Sequence, residues 1–211
     1  VGRQSLKANT TASGNIAVGY HALYSNTTGP KNVGIGNSAL GSITTGDAST
    51  AVGFEALKTT TASNNTAVGC QAMMLTTTGG NNVAVGQNAM ATNTTGANNA
   101  ALGLNALNAN TTGDQNTAIG RNALDSNTTA SDNTAVGYYA LNSNTTAANN
   151  TAVGGEALYD NTAAGNSAFG YRSLYENTTG TRNCGFGLYS LLNNTTASDN
   201  TALGYNVLAT N

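Results

Sequence analysis

The fold is decided by one stretch, Asn15-Ile16-Ala17-Val18-Gly19-Tyr20-His21-Ala22-Leu23-Tyr24-Ser25-Asn26-Thr27-Thr28-Gly29-Pro30-Lys31. At Asn32 the same order of residue types starts again. Internal repeats of fixed period outrank every other signal in a sequence, because each one is a structural unit that must stack on its neighbours. Gly19 serves as the landmark of this unit. Its counterparts are Gly2, Gly36, Gly53, Gly69, Gly86, Gly103, Gly120, Gly137, Gly154, Gly170, Gly187 and Gly204. Ten of the twelve intervals are 17 residues, and two (Gly53 to Gly69, Gly154 to Gly170) are 16. The consensus reads N-T-A-V-G-Y-x-A-L-x-x-N-T-T-G-x-x and covers the whole chain, 1–211, as a single domain.

Four residues after each landmark stands Leu or Met, as at Leu23, Leu40, Leu57, Met73, Leu107, Leu124 and Leu141. Just before the landmark is Val, Ile, Leu or Phe, as at Val18 and Val52. These two columns are expected to fill the core. Two before the landmark every residue is Ala or Gly, and three after it Ala predominates. Seventeen residues with an Asn-Thr-Thr tract and a fixed glycine are too few for a pair of helices. The segment from Asn15 to Tyr20 reads as a short strand and Tyr20 to Tyr24 as a second. Two strands and two turns make one coil. The expected fold is therefore an all-β parallel β-solenoid, or β-roll, of about thirteen 17-residue coils, roughly 60 Å long at about 4.8 Å per rung.

Four before the landmark stands Asn, at Asn15, Asn32, Asn82, Asn99, Asn116, Asn133 and Asn150 among others, with Ser49 the exception. Identical amides stacked rung on rung are expected to hydrogen-bond into a ladder. The Asn-Thr-Thr tract (Asn26-Thr27-Thr28) suits the opposite turn, with Asn in left-handed backbone. Ala17–Val18 and Ala22–Leu23 are adjacent apolar pairs, and adjacent strand residues face opposite sides. One member of each pair should line the coil and the other meet a partner, the small residues giving a second backbone close approach. A homotrimer would close that arrangement without a free side edge.

Composition narrows the function classes. Charged residues are 8% of the chain, there is no Trp, Pro30 is the only proline and the net charge is −2. Nucleic acid needs a basic stripe, which this chain lacks. No apolar run approaches the roughly 20 residues of a membrane span. The chain opens and closes inside a repeat, so it reads as a segment of a longer protein. Chemistry-bearing residues are scattered. His21 has no ligand partner at a useful spacing. Cys70 and Cys184 lie about seven rungs apart, on the order of 30 Å and far beyond disulfide reach, and are expected as buried or half-buried thiols. Glu55 and Glu156 share a column six rungs apart. Asp114 and Asp132 lie on adjacent rungs without a calcium-solenoid pattern. Gly34-Ile35-Gly36 and Gly185-Phe186-Gly187 arise where Gly replaces Ala in a column, not from a phosphate-binding loop. No catalytic residue, cofactor or metal is expected. Asn-x-Thr sequons at Asn9, Asn26, Asn93, Asn127 and Asn144 would offer a row of sugar acceptors along an exposed edge. The aromatic column after the landmark (Tyr20, Phe54, Tyr138, Tyr171, Tyr205) is interrupted by Asn37, Gln87, Arg121 and Gly155 and reads as packing.

The T-A-V-G-Y-x-A-L unit resembles the S-V-A-I-G repeats in the heads of YadA-like trimeric autotransporter adhesins. It is similar, more closely still, to the N-T-A-V-G-Y-x-A-L-x-x-N-T-T-G arrays of tail-fibre-like proteins from phages and environmental bacteria. The period is shorter in the YadA-like heads, so the coil outline is expected to differ. The resemblance implies a left-handed, trimeric roll located extracellularly, on a cell surface or on a virion. Its function would be that of an adhesin head, shaft or spacer, with a host-surface receptor or glycan as partner and no membrane insertion by this segment. An ice- or glycan-binding face on the same rod, or a self-assembling filament, is the alternative.

Overall fold

The computed structural model describes residues 1–210. Three-residue strands recur once per coil, from β1 (Ile16–Val18) to β10 (Ser167–Phe169), β11 (Cys184–Phe186) and β12 (Thr201–Leu203). All twelve pair in parallel, in chain order, as one sheet. Ala17 sits beside Gly34 and Ala118 beside Ala135, so the column alignment is the sheet register. The two 16-residue coils keep it, with Thr50 beside Thr66 and Thr151 beside Ser167. The missing residue is absorbed in the Thr-rich turn. There the Asn161 amide reaches the carbonyl two residues on (Ala163 O, 2.6 Å), where other coils reach three. The chain is a parallel β-solenoid of twelve strand-bearing rungs, not thirteen. The first landmark coil carries no strand, though its backbone bonds to the next: Val1 O accepts from the Gly19 N–H (3.0 Å) and the Leu6 N–H donates to Ala22 O (3.1 Å).

The second strand expected over Tyr20–Tyr24 does not exist. That segment is a run of turns in which the residues two and four past each landmark are left-handed, as at His21 (φ 56°) and Leu23 (φ 51°). Left-handed backbone costs an ordinary side chain roughly 1–2 kcal/mol. Here it breaks strand alternation, so Ala22 and Leu23, though adjacent, are both fully buried. The expectation that one of them must face a partner therefore fails. Burial of a Leu offsets its backbone cost, and the Leu23 N–H donates to Ala39 O of the next coil at 3.0 Å. Similar rung-to-rung bonds run around the circumference. The N–H of Ile16 donates to Asn32 O (2.8 Å) and that of Thr27 to Thr44 O (2.9 Å) in the next coil. The N–H of Lys31 donates back to Ser13 O (3.1 Å). Few large side chains are needed because so much backbone is paired.

Within the strands alternation holds and reverses one assignment. Ala17, Ala51 and Ala118 point inward, while Val18 is 43% exposed and Val52 half-buried. Val18 and Val52 are thus outer-face residues, not core. The coil is too thin for two branched side chains across it, so the strand contributes only Ala or Gly. Leu23, Leu40, Leu57, Leu107, Leu124 and Leu141 do fill the interior, fully buried beside the two Ala columns. The close approach expected between chains at the small residues lies inside one chain, between successive coils. Gly185 is a local instance: a methyl group there would lie 2.5 Å from Ser173 Oγ, which donates to the Gly185 carbonyl at 3.0 Å. Ser173 replaces the usual Ala, and Gly185 makes the room.

Candidate functional surface

The two Asn columns hold the coil and are not available for recognition. In the first, each amide oxygen accepts from the backbone N–H of the Asn one coil on: Asn15 from Asn32 (2.8 Å), Asn82 from Asn99 (2.9 Å), Asn99 from Asn116 (2.8 Å) and Asn133 from Asn150 (2.9 Å). The amide nitrogens donate to turn carbonyls of the next coil, as from Asn116 to Ala130 O (2.8 Å) and from Asn133 to Ala147 O (3.0 Å). This column clamps side chain to backbone and is not the amide-to-amide ladder expected of it. The amide ladder runs instead through the Asn26 column. Asn110 donates to Asn93 Oδ1 (2.9 Å) and Asn127 to Asn110 Oδ1 (2.9 Å), each also donating to the carbonyl three residues on. The buried amide oxygens of Asn26 and Asn144 are left without a donor; Asn161, which follows Asn144 in the column, turns its amide to Ala163 O instead. Ile43 follows Asn26 in the column and cannot donate.

This ladder overturns two expectations about the Asn-Thr-Thr turn. The left-handed residues are not its Asn but those just before the first Asn column, such as Asn81 (φ 59°) and Asp132 (φ 61°). The sequon residues Asn26, Asn93, Asn127 and Asn144 are fully buried with Nδ2 already donating. The folded coil cannot carry sugars there. In the same turn Thr27 spends its hydroxyl on Thr44 O (3.1 Å), as Thr94 does on Thr111 O (2.9 Å), leaving the second Thr of each tract outward.

Two surfaces remain open. One is the outer face of the sheet, where Thr50, Thr66, Thr117, Thr134 and Thr151 alternate with the unbroken apolar column Val18, Ile35, Val52, Val68, Val85, Leu102, Ile119, Val136, Val153, Phe169, Phe186 and Leu203. Several of these are more than a third exposed, Ile35, Leu102 and Ile119 among them. Phe169 and Phe186 stack along it with centroids 4.3 Å apart. Cys184 lies on this face, and Cys70, expected at least half-buried, is exposed in the column after the landmark.

The second open surface is an aromatic band past the landmark turn. Tyr138 packs edge-on against Tyr139 (4.3 Å, 84°), which meets Tyr159 (6.0 Å, 61°), which stacks on Tyr175 (5.2 Å, 12°). A parallel file runs Tyr171–Tyr189–Tyr205 (5.8 and 6.4 Å). The Arg172 guanidinium lies over both Tyr171 and Tyr175 and pairs with Glu156 at 2.6 Å. Desolvation, reinforced by Asp160 and Glu156, pushes the Tyr175 phenol above its ordinary value. Tyr139, Tyr159, Tyr175 and Tyr189 lie in columns that vary freely elsewhere, so a reading confined to the column after the landmark misses them. Counting aromatics coil by coil would have found them.

The scattered candidates are accounted for by packing. His21 lies between Tyr20 and Tyr24 and hydrogen-bonds Gln4. Beside it a shallow groove of about 200 Å³ opens where Gly41 falls between Tyr24 and Lys58. Glu55 pairs with Lys58 (2.7 Å), and Asp114 accepts from the Ala97 N–H (2.7 Å). Among the described residues no helix is long and apolar enough to cross a membrane, and no cluster of three metal-ligating side chains occurs. The chain matches no protein-family model, and no curated protein or solved structure shows significant similarity to it.

Proposed function

We propose that this chain is a structural segment of an extracellular or virion-surface homotrimeric fibre, serving as adhesin head, shaft or spacer, and not an enzyme. One observation carries the reading: the outward column from Val18 to Leu203 is apolar on every rung and open to solvent along its length. At about 4.8 Å per rung that stripe is roughly 50 Å long, a contiguous apolar stripe of the kind that marks an interaction surface. A second and a third copy of the same face would cover it symmetrically. The resemblance of the repeat to those of trimeric adhesins and tail fibres supports the same arrangement. The ion pairs, Glu156–Arg172 and Arg182–Asp199 among them, lie on the surface of the coil, which fits a passive rod. The test is the mass in solution by light scattering. Three chain masses are expected, falling to one in an Ile119→Asp, Val85→Asp double variant that keeps its circular dichroism. A monomeric unaltered chain at micromolar concentration overturns the reading.

The alternation of Thr with Val on the same flat face favours a second reading, ice binding. Methyl and hydroxyl groups repeat there at the rung spacing on a rigid sheet. A thermal-hysteresis measurement separates the two. Clear activity that disappears in Thr134→Tyr supports ice binding, and none removes it.

A further inference from the structure

Aromatic side chains crowd into one end of this rod. No Tyr or Phe occurs between Phe54 and Tyr138, whereas seven of the nine tyrosines lie from Tyr138 onward. The fold does not require them. Asn37, Gln87 and Leu104 occupy the same column as Tyr138 and Tyr171, and Gln71 and Asn88 the column of Tyr139, with the backbone unchanged. Exposed tyrosines that packing does not require, held on a rigid frame, are typical of recognition surfaces: they offer large area at low entropic cost.

We propose that the tyrosine band of the C-terminal coils is the docking site of an uncharged, extended polysaccharide. This rests on the fibre reading: the band begins one residue past the landmark turn, off the strands that carry the apolar face. The rings turn by 58–84° at four of the five contacts, so faces as well as edges are displayed. Tyr138 and Tyr171 are 48% and 40% exposed and stand two rungs apart, about 10 Å. Between them Gly155 has no side chain, and the Tyr171 ring leans over it: an added methyl would meet Cδ2 at 3.3 Å. A sugar ring laid across Tyr138 and Tyr171 would have apolar C–H groups against aromatic surface, with the Glu156–Arg172 pair beside Tyr171 to meet its hydroxyls. The aromatic contacts recur along the axis, as sugar units do along a straight chain. The local charge selects against polyanions, because Glu156, Asp160 and Glu176 outnumber the arginines 121 and 172.

The test uses the full chain with cellohexaose, chitohexaose and mannohexaose as neutral probes and polygalacturonate as the anionic one. Calorimetry is read alongside tyrosine fluorescence, which no Trp obscures. At least one neutral probe is expected to bind. Tyr171→Ala and Tyr138→Ala should each weaken binding about tenfold or more, and Tyr171→Phe should keep most of it. Gly155→Asn sets between the two rings a side chain that the same column tolerates at Asn37, so it tests the site without removing an aromatic. Tyr20→Ala, at the other end of the rod, should change nothing. The proposal is overturned if no neutral probe binds at millimolar concentration, or if Tyr171→Ala and Gly155→Asn leave binding intact. It is equally overturned by tighter, salt-sensitive binding of polygalacturonate, or by a fall in assembly mass in Tyr171→Ala, which would make the band an interface between copies. The fibre reading stands or falls separately, on the mass of the unaltered chain.

Discussion

At Gly103 the backbone takes φ +141°, a region that only glycine enters freely, and a methyl group there would lie 2.5 Å from the Gly120 carbonyl oxygen. Both constraints recur at the other landmarks, because each landmark turn nests on the one in the next coil. Gly165 offers the comparison. Its φ of +75° is left-handed too, yet nothing lies within 4 Å of an added methyl. Gly165→Ala should therefore cost only the backbone preference, about 1 kcal/mol. Gly103→Ala should cost at least about 3 kcal/mol, since backbone must move as well. Equal shifts of the two variants in denaturant unfolding would sink the nesting argument. The glycine period was plain in the sequence, but its cause was not, since spacing carries no dihedral angle. The same holds for the left-handed Leu column. A Leu that repeats in a strand-like segment reads as a strand residue, and nothing in Ala22-Leu23 announces φ near +50°.

In each coil one short strand and a chain of turns are joined by buried amides, and those amides make the turns tolerable. Asn116 shows the accounting: its oxygen accepts from the Asn133 N–H at 3.0 Å and its nitrogen donates to Ala130 O at 2.8 Å. Asn116→Ala leaves the buried Asn133 N–H without a partner and takes from Ala130 O one of its two donors, the other being Asn127, an expected loss of about 1–3 kcal/mol. Thr117→Ala, one residue on and facing out from the strand, should stay within about 0.5 kcal/mol. Comparable melting of the two variants would show that the amide column is ornamental. The column was legible from Asn15, Asn32 and their successors as a run of identical amides. Which group each amide would bond was not, because a side-chain ladder and a side-chain-to-backbone clamp leave the same residue in the same column. The inner and outer faces of the strand were misassigned for a related reason. Val18 looks like core beside Ala17, and only the narrowness of the coil, a property of all seventeen residues together, turns it outward.

Over the whole rod each strand contacts only the ones before and after it, so the molecule behaves as a one-dimensional stack. In such a stack stability is a sum of coil terms and nearest-neighbour terms, and the position of a coil matters less than its register. Deleting Gln87–Gly103 removes one period and joins Gly86 to Leu104. Every column then continues: Asn82 meets Asn116 and Val85 meets Ile119. The shortened chain should fold with an unchanged circular dichroism spectrum per residue, melt within a few degrees of the parent, and scatter as a rod about 5 Å shorter. Deleting only Gln87–Thr94 removes about half a coil and sets Leu and Val columns against polar ones. That variant should fail to fold cooperatively. The comparison also separates the frame from its decoration. Both deletions lie outside Tyr138–Tyr205, so the 17-residue deletion should leave sugar binding by the tyrosine band untouched while shortening the rod that carries it. If it destroyed the fold, the coils would not be interchangeable units, and the column reading would lose its foundation.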